Sequence, residues 1–237
     1  MYSKAKTAKT LCFGDKSITV KKDELLNSIR PTVYRLELEE PRHGLPRMVI
    51  VKQEKPEQEY EFEQEKNAYE KLQDLQGTLI PTLFGQGYFN GRPALILSEI
   101  EGITLRDLAK FQSRISEKIL EICLEEAFEK LNNYGAEYCD LNLGNFLFCN
   151  NGQIVVVDLE DVEFPDRLHS QERKVNTGSV RHLMSRFRDV KYPQRPPSPV
   201  NWASCTGDGD DKSSLEAPEP YNSIMGLVNR ERPTVLL

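Results

Sequence analysis

An α+β fold is predicted by three features of the chain: apolar runs that alternate with polar residues, two segments with helical spacing, and an Asn-Gly turn between short apolar runs. Thr32–Leu38, Met48–Lys52 and Pro93–Ser98 carry the strand pattern, while 56–77 and 116–134 repeat apolar residues every three or four positions. Asn151-Gly152 joins Phe146–Cys149 to Gln153–Val157, and this dipeptide suits a tight two-residue turn with positive φ. A β-hairpin is predicted there. The chain divides into an N-terminal extension (1–29), a sheet region with one helix (30–101), a helical region containing the hairpin (102–190) and a disordered tail (191–237).

The first 29 residues lack a clear period, although Lys21–Leu26 can open a short helix. Thr32–Leu38 alternates as a half-buried strand, Pro41 to Pro46 interrupt it, and Met48–Lys52 returns as its partner. Pro56 suits the start of the next helix and Gly77 its end. Within it Phe62, Glu65, Tyr69 and Leu72 share one stripe, so Glu65 places a carboxylate on the apolar face. A charge there calls for a cation, and Lys52 at the end of the preceding strand is the natural partner.

Leu79–Phe84, with Pro81, reads as an edge strand or turn, and Asn90-Gly91 as a further turn before the strand Pro93–Ser98. Thr104 and Asp107 cap a short helix over Leu105–Phe111. In the helix 116–134, Ile119, Ile122, Cys123, Ala127 and Leu131 form the apolar stripe and Gly135 is the stop. A later helix is expected over Ser179–Phe187. The segment from Tyr192 holds seven of the 14 prolines together with a Gly/Asp-rich run, a composition that cannot offset chain entropy.

With 38% hydrophobic and 29% charged residues, the 237-residue chain can bury a core. A net charge of −6 gives no electrostatic case for nucleic acid or an anionic membrane as partner. The cysteines, at 12, 123, 139, 149 and 205, are odd in number and lack CxxC spacing, which fits a reduced setting. No apolar run approaches a membrane span, and Met1–Lys9 lacks the apolar core of a signal peptide. A cytoplasmic or nuclear protein is expected.

If Asn151-Gly152 is a two-residue turn, Asn150 pairs with Gln153 and the register sets Asn145 opposite Asp158. Cross-strand Cβ atoms are about 5 Å apart, a separation at which an amide oxygen and a carboxylate can grip one divalent cation. Asp140 lies on the loop just before. Asp, Asn and Asp converging at one end of a hairpin are what phosphoryl transfer needs: one group to orient a hydroxyl and two to hold magnesium.

Tyr138-Cys-Asp-Leu-Asn-Leu-Gly-Asn145 resembles the catalytic loop of the protein-kinase-like superfamily, nearest to the aminoglycoside-phosphotransferase and small-molecule-kinase style. Asp158-Leu-Glu160 takes the place of the metal-binding Asp-Phe-Gly. The resemblance covers roughly residues 30–165. It implies a two-lobed fold with a truncated C-terminal lobe, ATP and Mg2+ as cofactors, and phosphoryl transfer to a hydroxyl on a protein or small molecule. By the same resemblance Lys52 contacts nucleotide phosphates, Glu65 holds Lys52, and Glu99, Ile100 and Glu101 form the hinge beside the nucleotide. Asn145 and Asp158 ligate magnesium, and Asp140 orients the acceptor and takes its proton. Tyr138 replaces the usual loop histidine, Glu160 replaces the glycine, and no glycine-rich phosphate loop is visible. These departures favour an alternative: a pseudokinase-like nucleotide-binding or protein-interaction module without catalysis.

Overall fold

Alternation along a strand sends successive side chains to opposite faces, and six strands use it here to close a barrel in the order β1-β2-β3-β4-β6-β5. They are β1 (Thr10–Phe13), β2 (Lys16–Leu25), β3 (Val33–Leu38), β4 (Met48–Gln53), β5 (Leu83–Phe89) and β6 (Arg92–Ser98), every neighbouring pair antiparallel. The computed structural model describes residues 9–26, 31–111, 115–165 and 175–193. All of them belong to one compact unit that runs to Pro196.

Leu11, Ile18, Val20, Leu36, Leu38, Val49, Val51, Phe89, Ala94 and Ile96 form one core cluster within this barrel. On β6 the intervening Leu95 and Leu97 belong to a second cluster, so that strand is buried on both faces. The same alternation on β4 puts Val49 and Val51 into the barrel cluster and sets Ile50 and Lys52 on the opposite face.

The barrel corrects the reading of residues 1–29 as an extension. Lys21–Leu26 is not a helix; Lys22 to Leu25 pair with β3, opposite Glu37 to Tyr34, after an irregularity in the register between Val20 and Lys22. Only Ile18 and Val20 of β2 are buried, which leaves too short an apolar alternation to mark the strand. Leu79 and Ile80 are buried in the second core and β5, starting at Leu83, lies between β1 and β6, so this stretch is no sheet edge. The expected turn before β6 is present, with positive φ at both Asn90 (52°) and Gly91 (77°), as a two-residue hairpin needs.

Helix α1 (Glu59–Lys71) connects β4 to β5, with a short 3-10 turn at Gln73–Leu75. Beyond the barrel, β7 (Gly102–Thr104) pairs with β9 (Phe146–Cys149), which pairs with β10 (Ile154–Val156), and β8 (Glu137–Tyr138) pairs with β11 (Val162–Glu163). Three helices complete the layer: α2 (Leu105–Lys110), α3 (Glu117–Asn133) and α4 (Ser179–Lys191). Thr104 caps α2 as expected, accepting from the Asp107 amide at 3.1 Å.

On α3 the expected stripe is half right. Ala127 and Leu131 are buried, but Ile119 and Ile122 are half exposed, and Leu120, Leu124 and Phe128 fill the core instead. The helix carries apolar residues on two neighbouring faces, and α4, with Leu183, Met184 and Phe187 in the same core, selects between them. Beyond Pro193 the chain, including the expected tail, lies outside the described residues. No helix among the described residues is long and apolar enough to cross a membrane.

Candidate nucleotide and phosphoryl-transfer site

The second core brings β4, α1 and the hairpin together, and Lys52 stands where they meet. Its Nζ lies 2.7 Å from Glu65 Oε2, 2.7 Å from Asp158 Oδ1 and 3.1 Å from Glu160 Oε1. Lys52 and Glu65 are both buried, at 7% and 1% side-chain exposure. The pair expected from the α1 stripe is therefore formed.

Burial by itself would discharge Lys52, but the attraction first of Glu65, then of Asp158 and Glu160, outweighs it and holds the ammonium well above its ordinary pKa. Burial raises Glu65 from 4.5 to about 7, opposed by Lys52 and reinforced by Asp158. At Asp158 burial pushes upward too, yet Lys52 overcomes it and the carboxyl titrates below its usual range. Lys55, two residues past β4, bonds Glu160 Oε2. Oxygens of Glu65, Asp158 and Glu160 lie within 4.8 Å of one another, close enough for a cation to bridge them.

The hairpin register differs from the expected one by a single residue. Phe148 faces Ile154 and Phe146 faces Val156, and the Val157 amide donates to the Asn145 carbonyl at 3.0 Å, so Asn145 lies opposite Val157 rather than Asp158. The cause is the turn. Gly152 alone has positive φ (79°) and Asn151 does not, which makes a three-residue loop closed by a left-handed glycine instead of a two-residue turn. One residue of slip would send Asp158 to the wrong face, but β10 ends at Val156 and the irregular chain beyond it brings Asp158 back. Asn145 and Asp158 both line one cavity of about 490 Å³.

Lys52 lines that cavity together with Asp158 and Asn145, and Val33, Ile50, Leu97, Leu147 and Val157 supply apolar wall. Glu99 and Ile100 line it as expected of the segment after β6, whereas Glu101 is exposed and forms no part of the wall. Glu99 is held by Arg35 on β3 at 2.6 Å, a contact between residues far apart in sequence that no local pattern announces.

Asp140 is fixed by its own loop. Asn145 Nδ2 donates to Asp140 Oδ2 at 2.8 Å, and the Asn142 amide donates to the Asp140 carbonyl at 2.8 Å. Asn142 Oδ1 accepts from the Gly144 amide at 2.9 Å, closing the turn. Tyr138 is buried before this loop, and its hydroxyl donates to the Asp158 carbonyl at 2.8 Å, so it ties the Asp140 loop to the chain just past the hairpin. Asn176, at φ 58°, accepts from the Tyr138 amide and donates to the Ala136 carbonyl. Lys55 and Asn176 are missed as site components by sequence reasoning, and Glu160, read there only as standing in the glycine's place, is not given its contact with Lys52. A second lysine three residues after Lys52 is the one signal that points to the first.

A search of curated proteins finds no match. A family match does cover residues 25–172. It spans β3, β4, α1, the Asp140 loop and the Asp158 hairpin, the elements that converge on Lys52. By that match, the chain belongs to the ABC1 atypical kinase-like domain family.

Proposed function

We propose that the cavity binds ATP with Mg2+ and that the protein transfers the terminal phosphoryl group to a hydroxyl acceptor. One observation carries this reading: Lys52, bridged at 2.7 Å to both Glu65 and Asp158, lines with Asp158 a cavity whose remaining wall is largely apolar. An apolar slot suits a base, and a cation on its wall suits phosphates.

The donor set fits magnesium, since Asp158 and Asn145 offer the carboxylate and amide oxygens that hard cations prefer. When bound, the ion neutralises phosphate oxygens and orients them. Charge balance supports the need for it. Three carboxylates face two lysines here, so a polyphosphate approaching without a divalent cation meets net repulsion. Lys52 takes a share of the phosphate charge while Glu65 keeps its ammonium in place. Asp140, oriented by Asn145, holds the acceptor hydroxyl and takes its proton. Tyr138 keeps the Asp158 backbone in register with the Asp140 loop.

A binding module without catalysis is the second reading. Glu160 favours it, because this carboxylate occupies Lys52 and Lys55 together, and so does the absence of glycine from the sequence 26–32 between β2 and β3.

Thermal shift with ATP and MgCl2, alongside phosphoryl transfer, tests both. Saturating ligand at about a hundred times its dissociation constant stabilises by roughly 2.7 kcal/mol. Asp158→Asn should abolish that shift. Asp140→Asn should keep it while turnover falls by roughly 10² to 10⁴. No magnesium-dependent shift in wild type removes the first reading, and a shift without Asp140-dependent turnover establishes the second.

A further inference from the structure

The Asp140 loop has a neighbour that the nucleotide cavity does not use. A second cavity, of about 470 Å³, lies between α2, the loop and α4, lined by Arg106, Lys110, Asn142, Leu143, Arg186 and Asp189. Its charge runs against that of the chain as a whole. The protein carries −6, yet this wall sets three cations against one carboxylate.

Neither guanidinium is neutralised by a carboxylate of the described residues. Arg106 donates to Asn142 Oδ1 at 2.6 Å and Arg186 donates to the Leu141 carbonyl at 2.8 Å, both neutral oxygens of the loop itself. Among the described residues no carboxylate pairs with either, and Lys110 has only a 4.0 Å contact to Asp107. A guanidinium carries five N–H donors, so each arginine keeps most of its hydrogen-bonding capacity after bracing the loop. Planar donor pairs of this kind match phosphate oxygens two at a time.

The cavity is also close to the transfer site. Asn142 is two residues from Asp140, a span of at most about 7 Å between Cα atoms. Gly144 lines the first cavity, and a Cβ placed on it would come 3.9 Å from Arg106 Cζ. Its φ is not in the left-handed region, so the backbone there does not require glycine. A Cβ there would also press on Asn142 Oδ1 at 3.3 Å, so the missing side chain lets Asn142 and Arg106 close against the loop beside the nucleotide cavity.

We propose that this basic cavity holds the anionic group of the acceptor, and that the preferred acceptor is a small hydroxyl compound bearing a phosphate monoester. Its phosphate sits against Arg106 and Arg186 while its hydroxyl reaches Asp140. The hydroxyl oxygen bonds to the terminal phosphorus of ATP, the bridging P–O bond breaks, ADP leaves with the electron pair, and the proton passes to Asp140. A monophosphate thus leaves as a bisphosphate. The hydroxyl's fate rests on the kinase reading above; the anion's binding does not.

Calorimetry on the full chain at low ionic strength provides the test, with glycerol 3-phosphate as probe, and glycerol and glycerate as comparisons. Glycerol 3-phosphate should bind more tightly than glycerate, and glycerol should not bind. Arg106→Gln and Arg186→Gln should each weaken it by about tenfold or more. Arg181→Gln, on α4 but outside the cavity, should leave it unchanged, and Arg106→Lys should recover part of the loss. Equal binding to wild type and to both glutamine variants, no binding at all, or equal binding of glycerol would overturn the proposal, and preference for glycerate would overturn its phosphate specificity. The ATP-Mg thermal shift on the same proteins separates the two readings. An intact shift with no glycerol 3-phosphate binding sinks the acceptor site alone. Arginine-dependent glycerol 3-phosphate binding without any ATP-Mg shift sinks the kinase reading and the acceptor role with it.

Discussion

The two sides of the candidate site are held by opposite means. Around Lys52 the structure is long-range and charged: a strand lysine, a helix glutamate and two hairpin carboxylates meet in a buried cluster with every charge facing an opposite one. Around Asp140 it is local and largely neutral, built from an amide side chain, turn amides and carbonyls within a few residues. The first arrangement is costly to disturb because burial leaves any orphaned charge uncompensated, whereas the second can lose a charge to water cheaply.

The largest effect should come from Lys52→Met. It strands Glu65 in the core with Asp158 and Glu160 nearby, and breaking a buried pair in this way costs about 3–5 kcal/mol by denaturant unfolding. Lys52→Met combined with Glu65→Leu should recover much of that loss, and a double variant as unstable as the single one would break the contrast drawn here. Next is Tyr138→Phe, which deprives the Asp158 carbonyl of its donor at 2.8 Å and should cost about 1–3 kcal/mol.

The pH dependence is smaller and has a definite sign. Glu65 titrates near 7 when folded, against an ordinary 4.5, chiefly because it is buried. A carboxyl that holds its proton more tightly in the folded state stabilises fully below the lower value, and the contribution is lost as pH rises to the higher one. Glu65→Gln removes that decline, so its melting temperature should fall short of wild type by more at pH 5 than at pH 8. An equal shortfall at both values would mean that Glu65 is ionised throughout. Smallest of all, Asp140→Asn should leave unfolding within about 0.5 kcal/mol of wild type, since an amide still accepts from Asn145; a loss comparable to that of Tyr138→Phe would show the loop to be as tightly coupled as the Lys52 cluster.

The same contrast governs what the sequence discloses. The Lys52–Glu65 pair is legible because a carboxylate on an apolar stripe is a contradiction that a cation resolves. The Asp140–Asn145 spacing and the approach of Asp158 are legible as a constellation, but the register is not, because Asn-Gly serves two-residue and three-residue loops alike. Strand β2 escapes notice since most of its residues are exposed, and β1 since it is only four residues long with one of them, Leu11, buried. Arg35, Lys55 and Glu160 acquire their contacts through tertiary proximity, and the buried face of α3 is chosen by α4 rather than by its own period.

Closure of the barrel has a consequence for how the chain is made. Strand β1 completes the ring by pairing with β5 as well as with β2, and β5 follows β3, β4 and α1 in the chain. On a ribosome the first strand therefore emerges long before the partner that covers its second edge, and an unpaired edge is a template for pairing with another chain. The seam is the most non-local contact of the ring and carries the largest loop-closure entropy. Its formation sets the moment at which the nascent chain ceases to offer an open strand to its neighbours.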